Sequence, residues 1–390
     1  MINNQYQYPA SPNVTPPAIR PLGHVSAIKI ALGIAASLIA LLLGLLVLLL
    51  IGIETGPVGL LIGMICATIP VPIYVTLVLW IDRYEAEPLW LLSTAFCWGA
   101  LVAVFIAYIL NTGVELSVAA VTRNAQAAHT AGAVISAPIV EESAKALILF
   151  IIFFWKKDEF DGVIDGIVYA ALVALGFAMT ENIQYYGQAV LHGGGVLTAT
   201  FFIRGFMAPF SHPLFTSMTG IGLGLARQTT NQAVKFITPV IGLLTAMAMH
   251  AIWNGSAAVG GILGFLLTYV VFMVPAFLII LIVIIFSLRR EGRIVREFLL
   301  ADLQRGMLRQ QEYEQLCSIG KRMGASFNAL SRGGVAHWRA SRQFNQIGSE
   351  LAFHRSRVTR GITSSAQAAS EREAAYLQML QELLTRLRAT

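Results

Sequence analysis

Charge is what this sequence has least of. Only 12% of its 390 residues are Asp, Glu, Lys or Arg, against about 25% in an ordinary soluble domain. With 56% apolar residues and a mean hydropathy of +0.69, so long a chain cannot close into one water-soluble core, which needs a polar shell. Cysteine is also scarce. Cys66 and Cys97 lie inside apolar runs and Cys317 in a polar stretch, without metal spacing or plausible pairing, so a disulfide scaffold is excluded and the three read as packing residues. No internal repeat is visible. The HExxH run, the GxSxG elbow and the Gly-Asp dyad of intramembrane aspartic enzymes are missing too, which removes three familiar hydrolytic routes. Composition also argues against a disordered chain or a nucleic-acid domain as the main body. An integral membrane protein remains.

The placement of the few charges organises the chain. Residues 289–390 hold 17 basic and 9 acidic residues, a balance of +8, and residues 1–288 hold 10 and 12, a balance of −2. A nearly neutral membrane body thus carries a basic tail. Uncharged runs long enough for a helix of about 20 residues extend over 29–54, 54–82 and 87–115. The run 235–289 is long enough for two, broken near Gly260-Gly261. Three more apolar segments, 133–155, 163–186 and 205–227, are interrupted by single charges. The fold class expected is all-α: a polytopic bundle of about eight transmembrane helices over 26–288, with a helical cytoplasmic tail over 289–390. The positive-inside bias places loops 81–88, 156–162 and 228–234 and both termini on the cytoplasmic side of the membrane. Residues 1–25, rich in Pro, Asn and Gln, read as disordered, and the first span as a retained anchor. In the tail, Tyr376, Leu380, Leu383, Leu384 and Leu387 have helical spacing. That pattern fits a small helical bundle or contact with a cytoplasmic protein, and the basic surface fits anionic lipid.

Ionisable groups inside spans cost about 2.5–3.5 kcal/mol each on insertion scales and mark function by default. Here they form a set: Glu141, Glu142 and Lys145 in span four, Glu181 in span five, His212 in span six, and His250 with Asn254 one turn apart in span seven. At 1.5 Å per residue, Glu142 stands about 20 Å from the inner end of its helix at Trp155. His212 and His250 stand about 22 Å from Arg227 and Lys235, and Glu181 about 24 Å from Asp165. Four helices of alternating direction therefore carry them to one layer in the outer half of the bilayer. Taken singly, each has a structural reading: an intrahelical Glu–Lys pair, a hydrogen-bonded histidine, an interhelical asparagine. A common depth is not expected of independent structural residues.

The set suits hydrolysis. A buried carboxylate can serve as general base, and imidazole or the Asn254 amide can position water or donate to an oxyanion. His212, His250 and Glu181 also match the three-ligand inventory of a catalytic zinc site. Metal-assisted hydrolysis and a glutamate acting alone both stay open, with zinc slightly favoured. The rival readings are a proton-coupled transporter that uses the glutamates as a relay, and a silent scaffold.

In this order DRYEAEP (82–88), EESAK (141–145), GFAMTEN (176–182), SHPLFT (211–216) and HAIWN (250–254) resemble the PrsW family of intramembrane proteases, relatives of the CAAX-processing and bacteriocin-processing enzymes. The resemblance covers about residues 60–260. It implies peptide-bond cleavage in single-span membrane proteins such as anti-sigma factors. It also implies that Glu141 is the base with Glu142 beside it, and that His250 and Asn254 form the oxyanion side. CAAX-type enzymes carry FxxxH in the second motif. Here Phe177 leads to Glu181, and His212 would supply the missing imidazole.

Overall fold

The computed structural model describes residues 27–361 and 365–388; the disorder expected of residues 1–25 lies outside them. Among the described residues every regular element is helical. α1 (Ala27–Thr68) and α2 (Val71–Ile81) are followed by α3 (Leu89–Cys97). A π-helical stretch, Trp98–Ala103, joins α3 to α4 (Val104–Thr122). α5 (Ala125–Ala131) continues through Gly132–Ser136 into α6 (Ala137–Trp155), and α7 spans Val163–Leu191. α8 (Gly194–Phe202) precedes α9 (Ser211–Gln228), α10 (Gln232–Thr268) and α11 (Val274–Gln304). The chain ends with α12 (Gln310–Leu316), α13 (Ile319–Thr359) and α14 (Ala366–Arg388).

Two of the long helices are hairpins. Gly56 (φ 71°) interrupts α1 and Gly261 (φ 58°) interrupts α10, a left-handed conformation that glycine adopts without steric cost. Trp253 and Phe265 pack at a tilt with ring centroids 4.9 Å apart, although a straight helix would separate them by about 18 Å. α13 turns back in the same way at Gly334, which brings Ser326 Oγ to 3.4 Å from Ser341 Oγ. The first two breaks fall where the sequence analysis divides its spans. Span six differs: expected from 205, it starts at Ser211. A π-helical stretch, Ile203–Met207, stops at Ala208 (φ −121°), because Pro209 cannot extend the ladder.

Among the described residues four stretches are long and apolar enough to cross a bilayer: Ile30–Ile81, Leu89–Thr122, Val163–Leu191 and Gln232–Gln304. α6 and α9 are not among them. Glu141, Glu142 and Lys145 put three charges within α6, and α9 is rich in Ser, Thr and Gly beside His212 and Arg227. α7 is the axis of the body, with buried residues on all its faces from Val163 to Ala178, as expected of a helix apolar all round. It packs on α1, α3 and α9. A second core, made by Val295, Leu299, Leu316, Phe344, Leu351, Leu380 and Leu384, unites the end of α11 with α12–α14. Tyr376 and Leu387 pack at its edge, on the face their spacing predicted. α11 runs unbroken through residue 289, so body and tail share a helix.

Candidate active site

One turn of α6 supplies the centre. Glu142 and Lys145 are wholly buried and Glu141 is 5% exposed. Lys145 Nζ donates to Glu142 Oε1 at 2.7 Å and stands 3.6 Å from Glu141 Oε2, the i+3 and i+4 reach that helical spacing allows. The ammonium also lies 4.2 Å from the centre of the Phe177 ring and 3.1 Å from His212 Nδ1. The Thr216 hydroxyl donates to Glu142 Oε2 at 2.8 Å. His250 Nδ1 lies 3.1 Å from Glu142 Oε1, and its Nε2 faces Glu141 Oε2 at 3.9 Å. The two imidazoles sit edge to face with centroids 5.2 Å apart, and Phe215 stacks on His250. Glu142 is thus fully engaged by lysine, threonine and histidine. Glu141 is not: its Oε2 is buried with no hydrogen-bond donor, a costly state for a carboxylate oxygen.

Glu181 borders this centre. Its Oε2 lies 3.1 Å from His212 Nε2 and also takes a hydrogen bond from Arg204, whose Nε donates to Asn182 Oδ1 at 2.5 Å. The guanidinium packs 3.7 Å from the centre of the Tyr185 ring. Asn254 reaches the same region, but its amide donates to Ala133 O at 2.9 Å, not to any residue of the cluster. All six residues singled out from the sequence therefore lie together, with Asn254 at the margin. Arg204 was not among the residues singled out from the sequence; the π-helical stretch Ile203–Met207 carries it to Glu181. Thr216 is one turn from His212 and was accessible to the same spacing argument. Asn111, 3.5 Å from Glu141 Oε1 and 2.7 Å from Ser136 Oγ, had no signal beyond being polar within an apolar run.

Two grooves meet at this cluster. One, of about 500 Å³, is lined by Glu54, Tyr108, Asn111, Glu115, Glu141 and Gln184 among others. The second, of about 390 Å³, is lined by Asn182, Arg204, His212, Trp253 and Phe265 among others. His129, Glu181, Tyr185 and Asn254 line both. Water and an extended chain segment can thus approach the carboxylates from two sides.

The donor set also fits a cation. One ligand atom each from Glu141, His212 and His250 lies within 4.8 Å of the others, and the unpartnered Glu141 Oε2 is one of the groups such an ion would satisfy. Glu142 against His250 Nδ1 would fix the ring so that Nε2 faces the ion, as outer carboxylates do in metal sites. The charge count agrees: three carboxylates (141, 142, 181) face only Lys145 and Arg204, which leaves one negative charge for a proton or a cation. The glutamate differs from the set His212, His250, Glu181 read from the sequence. Glu181 is committed to Arg204, whereas Glu141 Oε2 has no hydrogen-bond donor.

The profile described as PrsW family intramembrane metalloprotease matches residues 87–280. The Protease PrsW of Geobacillus kaustophilus is 37% identical over 149 residues, 37% of this chain and 58% of the relative. Those of Oceanobacillus iheyensis and Bacillus subtilis are each 32% identical. The first match extends over 171 residues (43% of this chain, 70% of the relative) and the second over 177 (44% and 72%). The chain therefore covers little more than half of the Geobacillus protein and over two thirds of the other two. No solved structure matches it. The chain belongs to the PrsW family, and every residue of the buried cluster falls inside the matched region.

Proposed function

We propose that this member of the PrsW family hydrolyses peptide bonds of single-span membrane proteins, anti-sigma-factor-like proteins among them, at the Glu141–Glu142–His212–His250 cluster. The observation that carries the reading is the asymmetry of the glutamate pair. Glu142 is held on all sides and orients His250, whereas Glu141 faces the groove with one oxygen unpartnered. In the arrangement without a metal, Glu141 takes the proton of the attacking water and returns it to the leaving amide nitrogen. Arg204 holds Glu181, and Glu181 in turn holds His212, so the imidazole keeps one orientation through the step. Asn254 positions the substrate backbone from the rim. Glu141, His212 and His250 would hold a zinc ion, which when bound lowers the pKa of its water and polarises the scissile carbonyl.

The two hairpins, at two crossings each, together with α3–α4, α6, α7 and α9 support eight crossings, with the 81–88, 156–162 and 228–234 loops and both termini on the cytoplasmic side of the plasma membrane. The site then lies in the outer half of the bilayer. The experiment is cleavage of a co-reconstituted single-span substrate by wild type and Glu141→Gln, with metal content measured on both. Cleavage lost in Glu141→Gln supports the reading. Equal cleavage by both proteins overturns it, and so does a proton flux across liposomes that persists without any cleavage.

A further inference from the structure

Far from this site, the loop after α2 and the hairpin of α13 enclose a groove of about 440 Å³. Two arginines, Arg83 and Arg342, line it, near enough for the charge of one to act on the other. Arg83 lies 5.0 Å from the centre of the Trp80 ring and donates to Trp80 O; Arg342 lies 5.1 Å from that of Trp338. Among the described residues neither has a carboxylate within ion-pair distance. Burial and the neighbouring Arg342 push the Arg83 guanidinium below its usual range, which is what two unneutralised like charges produce. The other charged groups in the groove are already committed. Arg322 donates to Leu316 O, Ser349 Oγ and the carbonyls of Arg83 and Tyr84, and Asp82 Oδ2 accepts from the Glu87 N–H at 2.8 Å.

The walls are apolar and continue into the membrane. Phe327, Met323 and Leu330 of α13 line the groove, and Phe327 is 70% exposed. Leu79 also lines a second, almost wholly apolar cleft of about 290 Å³ between α2 and α3, with Val75, Leu92, Phe96 and Ser93. A charged, aromatic-flanked chamber at the end of a spanning helix thus adjoins an apolar slot that runs along it. Tryptophan and arginine at that height are typical of the membrane–water interface. A zwitterionic headgroup would bring its own cation against the two arginines, whereas a headgroup with net negative charge completes them.

We propose that this groove and cleft together bind one anionic phospholipid, its phosphate between Arg83 and Arg342 and an acyl chain in the slot between α2 and α3. The lipid would bridge body and tail, because Arg83 belongs to the first and Arg342 to the second. Titration of the purified full chain with phosphatidylglycerol and with phosphatidylcholine, followed by native mass spectrometry, tests it. Wild type should prefer phosphatidylglycerol by about tenfold or more, at ~1 kcal/mol per interfacial arginine. The double variant Arg83→Gln/Arg342→Gln should lose that preference, while the charge-matched Arg332→Gln/Arg339→Gln should keep it. Ser93→Trp, which fills the slot without touching a charge, should weaken phosphatidylglycerol binding and keeps the test decisive if the arginine variant does not fold. Equal affinity for the two lipids, an unaltered preference in the Arg83/Arg342 variant, or unchanged binding by Ser93→Trp would overturn the proposal. Competition by glycerol phosphate as strong as by the lipid would overturn it too, in favour of a free-phosphate site.

Discussion

At the scale of single residues, the neighbouring glutamates predict opposite phenotypes. Glu142 accepts from Lys145 and Thr216 and pairs with His250, so Glu142→Gln leaves a buried ammonium short of its counter-charge, at a cost of about 3–5 kcal/mol. Glu141 makes only long contacts, at 3.5, 3.6 and 3.9 Å, so Glu141→Gln should leave the thermal midpoint near wild type. Activity should fall by two orders of magnitude or more, about what loss of a general base costs. Thermal unfolding and substrate cleavage, measured side by side on the two variants, check the contrast; equal destabilisation would refute it. Metal content gives a second reading. If the ion is held by Glu141, His212 and His250, His250→Ala should lose bound zinc, whereas Glu181→Gln should retain it because Arg204 already occupies that carboxylate. The doublet and the histidines were legible in the sequence because an ionisable group in an apolar run is conspicuous. Which glutamate stands unpartnered was not legible, since that depends on Thr216 and His250, donors on two other helices.

Among the elements, the contact of α7 with α9 sets the register of the site. Gly166 and Gly220 pass so closely that a Cβ built on Gly166 would lie 2.1 Å from Gly220 O, the close approach that small residues permit between membrane helices. α9 carries His212 and Thr216, so this crossing also fixes their distance to α6. Gly166→Ala should force the helices apart, at about 1–3 kcal/mol for an overpacked contact, and should reduce cleavage although residue 166 is four turns or more from the carboxylates. An unchanged melting curve together with wild-type cleavage would sink this account. The helices themselves could be read from apolar runs, the first hairpin from the charge that divides its two runs at Glu54 and the second from Gly260-Gly261, since these signals are local. The inward fold of Ile203–Met207 could not, because Arg204 looks like an ordinary loop arginine until its partners on α7 are known.

Across the whole molecule, the tail is fastened to the body at two loops. Arg357 pairs with Glu85 at 3.4 Å and with Asp161 at 2.5 Å. Tyr84 donates to Cys317 O, and Gln346 brackets Ala86 with one bond to its N–H and one to its carbonyl. The junction closes over the carboxyls of Asp82 and Glu87, both buried, and partly over that of Glu85. Burial pushes Asp82 up to about 7, against a smaller opposing pull from the Glu87 N–H. Burial likewise raises Glu85, with Asp161 adding to the shift and Arg357 opposing it, and raises Glu87, with Asp165 and Asp82 adding. Asp82 and Glu87 are therefore held protonated in the folded state at pH values where the unfolded chain has lost the proton, and Glu85 is pushed in the same direction. Linkage then fixes the sign: stability is full below the unfolded carboxyl value near 4 and declines as pH rises toward 7, where Asp82 itself ionises in place. The thermal midpoint of the detergent-purified protein should therefore fall between pH 5 and pH 8, and Asp82→Asn should flatten part of that fall while raising the midpoint at pH 8. Asparagine keeps an oxygen to accept from the Glu87 N–H, so the variant isolates the charge. A wild-type midpoint that climbs over this range, or an Asp82→Asn slope identical to wild type, would show that the junction tolerates these carboxylates ionised and that the clamp does not depend on their protons.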